Sequence, residues 1–243
     1  MSQSLTIQKV KLSFSNGNFQ KAARMIDALP VFFVNAYSLG LAYKSDSYRK
    51  ILESGGICFS DGFPLTMYLN RKFAPENVVQ SRGTNFMLEI CKSSPKGIKH
   101  AFIGTTSENL RKVIQELVTL NPNLADSSYY APPYTSLADI DYQSILDFVR
   151  LENPDFVWVG MGTPKQDYVA FHIASSCKRT AIAVGAALDF LSGTKKQAPL
   201  HMQKLGLEWL FRLWTEPRRL WKRYLIVSPL MFNYLKKFRI VLE

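Results

Sequence analysis

The chain has 243 residues, 47% of them hydrophobic and 20% charged, enough for a substantial core in one large domain or two small ones. That excludes a disordered chain, a collagen-like repeat and a disulfide mini-protein. The net charge of +11 is unevenly placed: residues 195–243 hold eleven Lys and Arg against three Glu, a net +8, leaving +3 for residues 1–194.

In chain order, Leu5–Phe14 reads as an N-terminal strand or hairpin, and Asn18 is placed to cap a helix running to Leu29. Short apolar runs follow, each ending in small or polar residues ahead of a helix-like stretch. Val31–Val34 ends at Asn35, Ile57–Phe59 at Ser60-Asp61-Gly62, and Asn77–Gln80 leads to Arg82-Gly83. Ala101–Ile103 ends at Gly104, Phe156–Val159 at Gly160, and Ala181–Val184 at Gly185. This alternation predicts an α/β fold, a Rossmann-like and mostly parallel sheet with helices on both faces. The loops leaving the carboxyl ends of such strands line the ligand crevice. Asn35, Asp61, Arg82, Gly104, Gly160 and Gly185 are therefore expected on one rim.

The composition shift near Gly193-Thr194-Lys195 sets the expected boundary: an α/β domain over 1–194 and a basic, aromatic, helical appendage over 195–243. The appendage holds Trp209, Trp214 and Trp221, three of the four tryptophans. Its longest apolar run, Leu225–Phe232, is far below the roughly 20 residues of a spanning helix. Apolar residues between cations at helical spacing suit a helix lying in an anionic membrane interface; packing on the body or on a second subunit is the competing reading. The cysteines Cys58, Cys91 and Cys177 form no CxxC pair, which suits a reducing compartment. His100, His172 and His201 are too scattered for a zinc site. With no signal-peptide pattern at Met1-Ser2-Gln3-Ser4, the expected location is cytoplasmic.

Gly160-Met161-Gly162-Thr163-Pro164-Lys165-Gln166-Asp167 is the most specific stretch. Glycines after a buried strand admit a ligand close to the backbone, Pro164 suits the first turn of a helix, and a helix N-terminus beside a lysine favours a phosphate or diphosphate. The stretch also fits a tight turn with no ligand. It lacks the third glycine of GxGxxG, and nothing matches GxxxxGK[ST], so a dinucleotide or P-loop assignment is weak. Asp61 on the crevice floor is a candidate general base, or the cap of an Asp-Gly turn. Arg82 is a candidate anion clamp, or a solvated charge. Asp139-Ile140-Asp141 has the form of a metal-binding DxD pair, but it precedes the amphipathic stretch Tyr142–Leu151 and is read as a helix cap; no metal and no cofactor is expected.

The motifs Val184–Gly193, Gln197-Ala198-Pro199, Leu205–Leu213 and Glu216–Tyr224, taken with Asn35, Asp61, Arg82 and Gly162–Gln166, resemble the WecG/TagA/CpsF family of bacterial glycosyltransferases. The likeness runs in order along essentially the whole chain. It implies inverting, metal-independent transfer of an N-acetylmannosamine-type or related sugar from a UDP-sugar to a polyprenyl-diphosphate-linked saccharide. The setting it implies is the inner face of the plasma membrane, in cell-surface polysaccharide synthesis such as wall teichoic acid or exopolysaccharide. Position by position, the resemblance makes Asp61 the base, with Arg82 and Gln166 beside it as catalytic residues. Asn35, Gly104, Gly160, Gly162, Lys165, Gln166 and Asp189 fall to the UDP-sugar, and Arg212, Arg218, Arg219 and Arg223 to the lipid diphosphate and membrane. This chain departs from the family pattern at Phe33 (often threonine), Asp167 (glutamate), Leu188 (phenylalanine) and Gln197 (arginine). Those changes touch the particular donor and acceptor. A homo-oligomer stays open; nucleic acid is not an expected partner, although a basic nucleic-acid-binding α/β protein is the rival reading.

Overall fold

The computed structural model describes residues 4–7, 10–13, 28–73, 80–235 and 240–242. The strands are β1 (Ser4–Ile7), β2 (Val10–Ser13), β3 (Pro30–Val34), β4 (Ile57–Ser60), β5 (His100–Gly104), β6 (Ser128–Tyr130), β7 (Phe156–Gly160), β8 (Thr180–Ala183) and β9 (Ile240–Leu242). They form one sheet in the order β6-β5-β7-β8-β3-β4-β2-β1-β9. Every pairing from β6 across to β2 is parallel, while β1 pairs antiparallel with both β2 and β9.

The parallel strands are apolar on both faces because helices cover both. Phe32, Val34, Val157, Val159, Ala181 and Ala183 join one buried cluster, with Leu39, Ala42, Val169 and Ile173 from the helices Ala36–Lys44 and Lys165–Cys177. The alternate residues of the same strands, Val31, Phe33, Trp158 and Ile182, join the opposite cluster with Phe86, Leu110, Val113 and Leu117 from the helices Gly83–Ser93 and Ser107–Leu120. This is the period of two expected of extended chain.

The neighbours β3 and β8 send their following helices to opposite faces: Ala36–Lys44 enters the first cluster, and Ala187–Leu191 enters the second through Ala187 and Leu188. Such a switch point opens a crevice at the carboxyl ends of the strands. Beyond residue 194 the chain runs through short helices, Leu200–Lys204, Glu208–Thr215 and Pro217–Trp221, a π-helical turn Lys222–Val227 and the helix Ser228–Leu235. This segment lies against the body. Leu220 and Met231 are buried, and a Cβ added to Gly40 would come within 2.9 Å of Val227 Cγ1.

Strands are found at the positions expected for Leu5–Phe14, Val31–Val34, Ile57–Phe59, Ala101–Ile103, Phe156–Val159 and Ala181–Val184, and the C-terminal segment is helical. Three details differ from the sequence reading or lie beyond it. The short edge strand β6 was not expected, and β9 adds a strand to a segment read as helical. The helix expected from Asn18 falls mostly outside the described residues, as does most of the strand expected at Asn77–Gln80. Asp141 accepts from the Ser144 amide at 3.0 Å and so caps the helix Tyr142–Glu152, as read from its position.

Candidate active site

A cleft of about 810 Å³ opens over the carboxyl ends of β3, β4, β5, β7 and β8. Asn35, Asp61, Arg82, Gly104, Gly160, Gly162, Lys165, Gln166, Gly185 and Asp189 all line it, as do Arg212, Arg219 and Arg223 from the C-terminal segment. Arg218 is exposed and lines neither this cleft nor the cavity beside it.

The floor is built by close backbone contacts. Gly104 has φ +136°, and a Cβ there would lie 2.4 Å from the Gly160 carbonyl oxygen, so β5 approaches the end of β7 only because residue 104 is glycine; a Cβ at Gly160 would instead meet Leu188 Cδ1 at 2.6 Å. Gly162, at φ +78°, has nothing within 4 Å of a Cβ position and leaves open space above the turn. Its amide donates to Gln166 Oε1 at 2.9 Å, and Gln166 Nε2 donates to the Ala183 carbonyl at 3.3 Å. Gln166 is buried, so it ties the turn after β7 to the end of β8. Lys165, next to it, donates to the Thr135 carbonyl and stands over the Tyr134 ring at 4.4 Å.

Asn35 caps the helix Ala36–Lys44, its Oδ1 accepting from the Tyr37 and Ser38 amides at 3.0 and 3.2 Å. Asp61 follows β4, and its amide donates to the Val34 carbonyl at 2.7 Å. Burial, then the charge of Glu208, push its carboxyl up to about 6; the Gly62 amide, the Gln80 side chain and Arg223 oppose this. Arg82 meets Glu208, Nε to Oε2 at 3.2 Å, and donates from Nη2 to the Gln203 carbonyl at 3.3 Å. Asp189 pairs with Lys195 at 2.5 Å, and Glu216 pairs with Arg219 at 2.6 Å and with Lys195 at 3.7 Å.

A second cavity of about 380 Å³ lies beside the cleft, with Phe63, Pro64, Leu65, Trp209, Leu225 and Pro229 in its wall. Asn35, Asp61, Arg82, Glu208, Arg212 and Arg223 line both spaces, so the two meet at this set. Arg223 stacks over Tyr37 at 4.8 Å and Arg212 over Phe190 at 5.8 Å. The Nε atoms of both arginines are buried with no hydrogen-bond partner among the described residues. Two buried cationic donors left unmatched at the junction suit an anionic ligand group.

Sequence reasoning missed several lining residues. The loop Ala131–Thr135 forms part of the cleft wall, and its Pro132-Pro133 pair was an unread turn signal. Glu208 stood inside a motif already singled out but received no role. Phe33, where the family often has threonine, lines the cleft while its ring packs on Phe59 and Phe86 with centroids 5.7 and 5.5 Å away. Gln197 also lines the cleft. Among the described residues no group of three or more His, Cys, Asp or Glu is placed to hold a metal ion, and no helix is long and apolar enough to cross a membrane.

An α/β sheet whose strand ends surround a half-buried carboxylate, several arginines and a glycine-flanked helix start is a frame suited to an anionic ligand. The sequence profile of the glycosyl transferase WecG/TagA/CpsF family matches residues 5–240, and the chain belongs to that family of glycosyltransferases. Among curated relatives, the N-acetylglucosaminyldiphosphoundecaprenol N-acetyl-beta-D-mannosaminyltransferase of Bacillus subtilis (strain 168) is 28% identical over 200 residues. That stretch covers 81% of this chain and 75% of the relative.

Proposed function

We propose that the chain transfers a sugar of the N-acetylmannosamine type, or a related hexose, from a UDP-sugar to a polyprenyl-diphosphate-linked saccharide, with inversion and without a metal. The name of the Bacillus subtilis relative supports both the sugar and the lipid-diphosphate acceptor. The observation that carries the reading is the position of Asp61, where the two cavities meet among Arg82, Arg212 and Arg223.

In this reading the donor occupies the larger cleft. Its diphosphate faces the turn Gly162–Gln166 and the helix N-terminus at Lys165, and its nucleoside extends toward Gly104, Gly160 and Asp189. The acceptor sugar enters through the smaller, more apolar cavity. Asp61 takes the proton of the acceptor hydroxyl as its oxygen attacks the anomeric carbon. The bond from that carbon to the diphosphate breaks in the same displacement, inverting the centre, and UDP leaves with the bonding pair. Arg82, Lys165, Arg212 and Arg223 are the cations available to balance its charge.

The C-terminal segment suits attachment to an anionic membrane surface. Trp214 is 85% exposed, and Trp221, Leu225 and Ile226 are exposed near Arg218 and Lys222. A peripheral position at the inner face of the plasma membrane would bring the lipid-linked acceptor to the smaller cavity.

Thermal unfolding with added ligands tests the donor assignment. A ligand that binds only the native state at about 100 times its Kd stabilises by about 2.7 kcal/mol, so UDP should raise Tm where NAD and single-stranded RNA do not. A shift with NAD or RNA and none with UDP would overturn the reading.

A further inference from the structure

Glu208 begins the helix Glu208–Thr215, in the C-terminal segment, and its partners lie far away in sequence. Its carboxylate meets Arg82 at 3.2 Å, with the two side chains only 23% and 20% exposed. The same guanidinium donates to the Gln203 carbonyl, so Arg82 is held by two groups of the C-terminal segment. Glu208 lines both cavities, together with Asp61. The other acidic side chain of this segment among the described residues, Glu216, is engaged elsewhere, with Arg219 and Lys195.

We propose that Glu208 is a positioning residue of the transferase site, which fixes Arg82 at the meeting point of the two cavities and stands as a second carboxylate toward Asp61. The proposal rests on the reading of Asp61 as base. A neighbouring negative charge disfavours ionisation and makes the ionised carboxylate a stronger base, and Glu208 is the charge that acts on Asp61 in this sense. Arg223, the Gln80 side chain and the Gly62 amide act on Asp61 in the opposite sense. Around Glu208 itself stand Arg82, Arg212 one turn along its own helix, Arg223 and Asp61, all on the shared walls. Base strength at Asp61 therefore depends on the C-terminal segment being docked, which links the chemistry to the part of the chain that suits the membrane.

The test uses the full chain with Glu208→Gln and Glu208→Asp. Sugar transfer from a UDP-sugar to a short-chain polyprenyl-diphosphate saccharide is followed from pH 5 to 9, and the Asp61 carboxyl is titrated by carbon-13 NMR, with Asp61→Asn for assignment. Glu208→Gln should lower kcat about tenfold and move the acid limb and the Asp61 titration down by about half a unit or more. Glu208→Asp should return both toward wild type, and UDP should raise Tm in every variant. An unmoved Asp61 titration and acid limb in Glu208→Gln, whether or not its stability falls, would overturn the proposal. A wild-type chain that transfers no sugar to any acceptor would instead overturn the transferase reading, and this role with it.

Discussion

The Tyr48 hydroxyl donates to Asp167 Oδ2 at 2.8 Å beneath the turn that carries Gln166. Both side chains are buried, and burial pushes the Asp167 carboxyl up from 3.8 to about 7, against hydrogen bonds from Tyr48 and Thr163 that lower it. A carboxyl whose folded pKa lies above its unfolded one binds its proton more tightly in the native state. Stability is thus greatest below pH 4 from this group and falls as pH rises toward 7, by on the order of 4 kcal/mol. Asp167→Asn, which keeps an oxygen for Tyr48, should remove that slope and raise Tm at pH 8. Thermal unfolding of both proteins from pH 4 to 8 checks this.

The proposed base, Asp61, would act only when ionised, and burial pushes its carboxyl up to about 6. In the wild type, transfer at low acceptor concentration should therefore climb with pH through about 6 and then level off. A pH profile of kcat/KM measures the limb directly.

Gln166 makes two hydrogen bonds that join the turn after β7 to the end of β8. Gln166→Ala leaves the Gly162 amide and the Ala183 carbonyl without these partners, at a cost of about 1–3 kcal/mol if neither finds another. The loss should appear as weaker UDP binding in calorimetry, since the turn faces the proposed diphosphate position, together with a lower Tm.

The C-terminal segment has a buried side, with Leu220 and Met231, and an exposed side, with Trp214 and Trp221. Each cation near an anionic bilayer contributes about 1 kcal/mol, so replacing Arg218 and Lys222 by Gln should weaken binding to anionic vesicles about thirtyfold. Cosedimentation at rising salt checks it; the wild type should release as salt increases and should ignore neutral vesicles.

The parallel sheet and its rim were legible because β3, β5, β7 and β8 are apolar runs that each stop at a small or polar residue. A covered sheet with that punctuation has few other arrangements. Strand β6 was not legible: Ser128-Tyr129-Tyr130 is a three-residue edge whose place comes from pairing with β5, a contact between segments 27 residues apart. The rim residues could be named from the strand ends. Glu208 could not, because its part depends on how residues beyond 194 fold back over Arg82 and Asp61, and periodicity does not specify docking. The same folding back explains the position of Arg212 and Arg223. The sequence reading gave both to the lipid diphosphate and membrane, and both line the meeting point of the two cavities.

The most direct measurement incubates wild type and Asp61→Asn with a panel of UDP-sugars and a synthetic polyprenyl-diphosphate saccharide, reading lipid product and released UDP by mass. The wild type should yield acceptor plus one sugar with one UDP per product. Asp61→Asn should lose about a thousandfold in rate while its Tm still responds to UDP. Turnover by Asp61→Asn at the wild-type rate, or no transfer by the wild type from any UDP-sugar, would contradict the account.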